Sequence, residues 1–180
     1  MTGSLTARSY TPPQVRDRAA GTFTAQEFKD LFAHLPTGVT VLTTSAPDGT
    51  GQAGMTASAV CALSLDPPLI LVCADNHSRT LARIRSTGAF AVNVLREDQT
   101  LLAKRFADPS LEQADRFACT DHHRVDDLPV LDEAVAWLTC DVHDAYPGGD
   151  HTILTASVRT LGQSGGHPLI WHNRTFRILA

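Results

Sequence analysis

The sequence predicts a mainly β fold with a few short helices, a barrel or a sandwich, and three observations point there. Short runs rich in β-branched and apolar residues recur along the chain, with Gly, Pro and Asp turn signals between them. The helical segments are few and do not alternate with the strands, which disfavours a doubly wound parallel sheet. No GxGxxG occurs, and no GxxxxGK followed by Ser or Thr, so neither common strand-to-helix phosphate fingerprint is present.

Residues 1–22 are rich in Thr, Ser, Pro, Arg and Ala without a period and read as a flexible arm, leaving residues 23–180 as the folded domain. Thr24-Ala25-Gln26-Glu27 has capping-box spacing, and Phe28, Leu31, Phe32 and Leu35 follow at helical intervals until Pro36 ends the pattern. Gly38 to Ser45 is a β-branched strand run leading into Pro47-Asp48-Gly49, a turn in which Gly supplies positive φ. A second strand run begins near Gln52 and is interrupted by Pro67-Pro68, after which Leu69 to Ala74 is a continuous apolar strand. Thr80 to Arg85 reads as a short helix, Phe90 to Leu95 as a strand and Gln99 to Phe106 as another helix. Asp108 to Pro129 is polar and irregular. Three late strands are expected, at Ala136 to His143, Thr152 to Arg159 and Leu169 to His172.

The totals narrow the function classes. The chain's 180 residues, 43% hydrophobic and 19% charged, suit one soluble domain with one core. A net charge of −4 with no strongly basic stretch argues against nucleic acid, because phosphate contacts need clustered Lys and Arg. The apolar runs are strand-length, far short of a membrane span. Arg8, Arg16 and Arg18 precede no apolar signal core, so the expected location is the cytoplasm. Cys61, Cys73, Cys119 and Cys140 form no CxxC pair and read as small buried hydrophobes of a reducing compartment.

Three segments carry candidate chemistry. Gly54-Met55-Thr56-Ala57-Ser58 offers backbone N–H groups and small hydroxyls that a flat ligand can approach, and equally reads as an ordinary strand edge. Asp75-Asn76-His77-Ser78-Arg79-Thr80 lies between an apolar strand and a short helix. Hydroxyls, an Arg and free N–H groups there make an anion site, or simply a capped helix start. Gly148-Gly149-Asp150-His151 joins two strands; Asp150 can orient His151, whose imidazole can hydrogen-bond a substrate, or the pair is a plain turn. The metal candidate, Cys119-Thr120-Asp121-His122-His123, lacks a second ligand pair at zinc-like spacing, so no metal site is expected.

Taken in order, several stretches resemble the flavin reductase-like family with its FMN-binding split β-barrel. They are Leu35-Pro36-Thr37-Gly38-Val39-Thr40-Val41, Gly54-Met55-Thr56-Ala57-Ser58-Ala59, Leu63-Ser64-Leu65-Asp66-Pro67-Pro68-Leu69, Phe90-Ala91-Val92-Asn93-Val94-Leu95 and Gly149-Asp150-His151. The similarity spans roughly residues 27 to 176. It implies that Thr37, Gly38 and Val39 lie near a flavin ring, with Thr56, Ala57 and Ser58 against the isoalloxazine and ribityl chain. Ser78 and Thr80, together with Arg79, would hold the flavin phosphate, Phe90 would line the site, His151 would meet the nicotinamide cofactor, and Asn76 and Asp150 would be further cofactor-binding residues. Two departures stand out: Thr155-Ala156, and Trp171-His172-Asn173-Arg174, where similar sequences often carry Gly.

The implied activity is hydride transfer from NADH or NADPH to FMN or FAD. The implied partners are a second copy of the chain and a separate flavin-dependent monooxygenase that takes the reduced flavin. In such chemistry the cofactor does the bond-making, which fits a chain with no evident nucleophile–base pair. Two alternatives come from other classes: a non-catalytic flavin carrier or sensor, and a metal-dependent enzyme built on Cys119, His122 and His123.

Overall fold

The structure, a computed structural model, describes residues 23–49 and 51–179; the expected arm over residues 1–22 lies outside them. Helix α1 (Ala25–Phe32) begins at the capping box. Thr24 Oγ1 accepts from the Glu27 N–H at 3.1 Å, and the Glu27 carboxylate accepts from the Thr24 N–H at 2.7 Å. None of the residues of α1 is buried within the chain.

The first β-branched run divides at Val39 into β1 (Thr37–Gly38) and β2 (Thr40–Ser45). Val39 donates its N–H to Leu169 and accepts from the Leu95 N–H, so the chain crosses from one sheet to another there. The run from Gln52 to Pro67 also divides, into β3 (Gln52–Ala57) and β4 (Val60–Leu65), and β5 (Pro68–Asp75) follows. Helix α2 (Arg79–Thr87) is capped by Ser78 and ends at Gly88, whose φ of 71° suits a residue without Cβ. Strand β6 (Ala89–Val94) and helix α3 (Thr100–Ala107) lie where they were expected.

The segment expected to be irregular contains α4 (Gln113–Phe117) and a hairpin of β7 (His122–Val125) and β8 (Leu128–Leu131). Its turn uses Asp126 and Asp127, at φ 49° and 63°, in place of the glycine that would have signalled it. Pro129 inside β8 argues against a strand on sequence grounds, yet all four residues of β8 are buried. The hairpin of β9 (Ala136–Gly148) and β10 (His151–Gln163) runs longer than expected, and β11 (Ile170–His172) is joined by an unforeseen β12 (Thr175–Arg177).

Seven strands form one antiparallel sheet in the order β3-β2-β6-β9-β10-β5-β4; β1-β11-β12 and β7-β8 form two smaller ones. Strands β3 and β4 are its opposite edges although only Ser58 and Ala59 join them. Two linking residues span little, so the sheet must bend until its edges approach at that corner. The edges are not hydrogen-bonded to each other, and the sheet is not closed into a barrel. Strand β2 is buried on both faces. Leu42, Phe90, Val72, Ile84 and Leu154 pack on one side, and Val41, Leu95, Phe106, Phe117 and Leu131 on the other. Asn93, fully buried, donates to the Val41 carbonyl and Thr43 Oγ1 and accepts from the Leu131 N–H, tying the β7–β8 hairpin to the sheet. Among the described residues, no helix is long and apolar enough to cross a membrane.

Candidate functional site

The site is built along the free edge of β3. Gly54 turns its main-chain groups away from β2: its N–H donates to Gln113 Oε1 at 2.8 Å and its carbonyl accepts from Arg116 Nη1 at 2.7 Å. A Cβ on Gly54 would stand 2.5 Å from Phe106 Cε1, so only glycine allows the strand so close to α3. Strand alternation aims the main chain of Thr56 to the same outer side. The Thr56 hydroxyl donates to the Ala103 carbonyl at 2.6 Å and stays turned to α3.

Three cavities follow this edge and run into one another. One of about 370 Å³ is lined by Met55, Thr56, Ser78, Arg79, Gln113 and Arg116. It shares Thr56 and Ala107 with a second of about 440 Å³, whose walls include Val39, Lys104, Trp171 and Phe176. That one shares Ser58, Trp171 and Arg174 with a third of about 760 Å³, bounded by Phe28, Phe32, Leu35, Thr37 and Cys61. The result is a groove, polar at the α2 end and apolar at the α1 end.

At the polar end, Ser78 Oγ accepts from the Leu81 N–H at 3.3 Å and lies 3.0 Å from Met55 Sδ. Arg79 and Arg116 both face this cavity. Arg116 is 6% exposed and donates to the carbonyls of Gly54, Phe106 and Asp108. Burial, and next the charge of Arg79, hold its pKa below the usual arginine range. Two buried side-chain polar atoms among the described residues have no protein partner: Arg116 Nε and Thr37 Oγ1. Both belong to residues lining the groove, one at each end. Buried polar atoms are rarely left unpaired, so these two stand out among the residues of the groove.

The expected site residues divide. Thr37, Val39, Thr56, Ser58, Ser78 and Arg79 line the groove, and Gly38 leaves open space where a side chain would project. Ala57 turns its methyl into the core, and the fully buried Thr80 accepts from Gln113 Nε2 at 3.3 Å. Phe90 lines none of these three cavities: it has no exposure, sits opposite Cys140 in the sheet and fills the main core, because its place on β6 points inward. Asn76 braces the β9–β10 hairpin, donating to the Gly149 carbonyl and accepting from Thr152. At the hairpin tip His151 Nδ1 lies 2.7 Å from Asp150 Oδ1, and His151 stands opposite Asp75, which lines the polar cavity. Hydrogen bonding and charge from His151 hold the Asp150 carboxyl below its usual value, and Lys29 of α1 adds to this.

Sequence reading missed Arg116, Gln113 and Lys104, each recruited from a segment with no motif of its own, and noted Trp171 only as part of a segment departing from the family pattern. The variant turn Asn173-Arg174 adopts φ of 52° and 58°, the conformation glycine would supply. The Cys119/His122/His123 cluster does not assemble. Adjacent strand residues face opposite ways, His122 bonding Thr120 and Gln52 and His123 bonding Asp132. Among the described residues no His, Cys, Asp and Glu group is arranged to hold a metal.

A family model described as flavin reductase like domain matches residues 32–180. The reductase component of the 4-nitrophenol 4-monooxygenase/4-nitrocatechol 2-monooxygenase of Rhodococcus opacus is 41% identical over 150 residues, covering 83% of this chain and 78% of that one. The actinorhodin polyketide dimerase of Streptomyces coelicolor is 40% identical over 153 residues, 84% of each chain. The NADH:FAD oxidoreductase of Streptomyces globisporus C-1027, solved in complex with NAD and FAD fragments, superposes with a TM-score of 0.80 at 34% identity, over 86% of this chain and 92% of that one.

Proposed function

This chain belongs to the flavin reductase-like family, and from that premise we propose that it is an NAD(P)H:flavin oxidoreductase that supplies reduced FMN or FAD to a separate monooxygenase. The observation that carries the reading in this chain's own residues is the groove along the free Met55–Ser58 edge, with Arg79 and Arg116 at one end and apolar side chains at the other. At the polar end the exposed Arg79 offers donors to a phosphate, and the charge of buried Arg116 lies behind it. The outward main chain of Thr56 suits the carbonyl and imide edge of a flavin ring, and Val39, Trp171 and Phe176 give it apolar walls.

When bound, the flavin supplies the hydride-accepting centre and the nicotinamide supplies the hydride. The chain's residues bind and orient. Ser78, Arg79 and the N-terminus of α2 would hold the phosphate, with the buried charge of Arg116 behind them. The β3 edge would hold the ring, with the outward main chain of Thr56 available to its polar edge. Asp150 holds the Nδ1 side of His151, which in the neutral ring leaves Nε2 as an acceptor for the nicotinamide carboxamide. Hydride transfer then needs no further acid or nucleophile from the protein.

The same reading includes a homodimer in the cytoplasm. Phe28, Leu31, Phe32 and Leu35 from the α1 segment and Leu63 and Leu65 from β4 are each about half exposed or more. An eight-residue helix with no fully buried residue gains little from its own chain, so a second copy covering this face would stabilise it. Cysteines without disulfides fit a reducing compartment.

The test is NADH and NADPH oxidation followed at the nicotinamide band, with FMN or FAD added in turn. Flavin-dependent turnover is expected and names both preferences. Flavin binding without turnover with any pair would replace the reductase by a carrier or sensor.

A further inference from the structure

The cation best placed for a flavin phosphate is already engaged. Arg79 Nη1 donates to the Glu112 carboxylate at 2.5 Å, and its Nη2 donates to the Leu111 carbonyl at 2.6 Å. The two side chains are 44% and 73% exposed, so a dissolved anion can reach the pair. The other carboxylates nearby are spent on their own turns. Asp108 accepts from the Ser110 N–H and hydroxyl at 2.8 and 2.6 Å, and Asp75 accepts from the His77 N–H at 2.7 Å. Arg116 stands close enough to Arg79 for the two charges to oppose each other. The cavity therefore gathers two guanidiniums, one of them with an idle N–H, and Glu112 is the carboxylate bonded to the accessible one.

We propose that Glu112 is an internal counter-ion that the phosphate of a bound flavin must displace from Arg79, so that Glu112 sets the affinity for phosphorylated flavins without touching the ring. The proposal rests on the reading of this cavity as the flavin-phosphate end of the groove. A carboxylate and a phosphate seek the same planar donor face of a guanidinium, so they compete for it. An exposed ion pair is weak, so the exchange is reversible and never blocks the site. While Glu112 remains near the cavity mouth, its charge also opposes the phosphate. Both effects lower the phosphate's contribution to binding, which suits a protein whose reduced flavin has to leave for another enzyme.

The experiment compares the unaltered protein with Glu112→Gln, which keeps size and acceptor but removes the charge. FMN, FAD and riboflavin are titrated without nicotinamide, at low ionic strength, and binding is read from flavin fluorescence. FMN and FAD should bind Glu112→Gln about two- to five-fold more tightly, the worth of an exposed ion pair, while riboflavin, lacking phosphate, should not change. High salt should shrink the difference. Arg79→Met should lower FMN and FAD affinity toward that of riboflavin and erase any effect of Glu112→Gln added to it. Flavin binding with no change in Glu112→Gln, or with an equal change for riboflavin, overturns the proposal alone. Failure of all three flavins to bind the unaltered protein overturns the cofactor reading, and the proposal with it.

Discussion

Replacing Gly54 by Ala tests whether the close approach of β3 to α3 holds the site together. The new methyl would meet Phe106 Cε1 at 2.5 Å, Phe106 Cδ1 at 2.8 Å and the Leu42 carbonyl at 3.2 Å. Phe106 cannot swing away, because it is 1% exposed and stands edge-on to Phe117 at 5.1 Å and 88°. Overpacking of this kind costs about 1–3 kcal/mol. The stiffer unfolded chain returns about 0.4–1 kcal/mol. A net loss of about 1–2 kcal/mol is expected, which for a domain of this length lowers Tm by roughly 2–8 °C. Any retreat of α3 also carries the Ala103 carbonyl away from the Thr56 hydroxyl, so FMN should bind more weakly. Thermal melts of Gly54→Ala, Phe106→Leu and the double variant complete a cycle. In the Phe106→Leu background the Gly54→Ala penalty should fall by at least about 0.5 kcal/mol, since the ring that clashes is gone. A Gly54→Ala protein as stable as the original, or a penalty of the same size once Phe106 has been replaced, refutes the reasoning.

Four other outcomes are expected. His151→Ala should raise the NAD(P)H KM more than it weakens flavin binding; steady-state kinetics beside flavin titration check this, and a collapse of flavin affinity with KM unmoved contradicts it. Thiol labelling of the native protein near pH 8 should modify exposed Cys119 and spare Cys140, which is fully buried and whose pKa burial pushes up to about 12, until the chain unfolds. Labelling of Cys61 should slow as protein concentration rises if its face is the dimer contact. Hydrogen bonds from Thr139 and Thr160 hold the Asp126 carboxyl below its usual value. A lowered native pKa contributes stability above the unfolded value of about 3.9 and loses it as pH falls through the native value. Thr139→Val removes one donor, so the acid-unfolding midpoint should move to higher pH; an unmoved midpoint in a circular-dichroism titration counts against the assignment.

Local signals were legible wherever a few consecutive residues decide the outcome. The Thr24/Glu27 box starts α1, Ser78 caps α2, and the β-branched runs become β2, β5 and β6. Met55, Thr56 and Ser58, and Ser78-Arg79, line the groove, and His151 pairs with Asp75 at its polar end. Failures came where a local rule was overruled. Asp126-Asp127 makes a glycine-type turn without glycine, Pro129 sits in a buried strand, and Phe90, grouped with the site by resemblance, fills the core.

By itself, the sequence determined the secondary-structure periods, the caps and the residue types along the ligand-facing strand, because hydrogen bonding and steric preference act over a few residues. Tertiary structure alone decided that β3 and β4, two residues apart in the chain, become opposite edges of one sheet, and that Thr56 therefore has a free edge to offer. It alone brought Glu112 to Arg79 across 33 positions and left the Arg116 Nε unpaired beside them. Such meetings depend on how every distant segment packs, since burial rewards the whole arrangement and no short stretch of sequence encodes it.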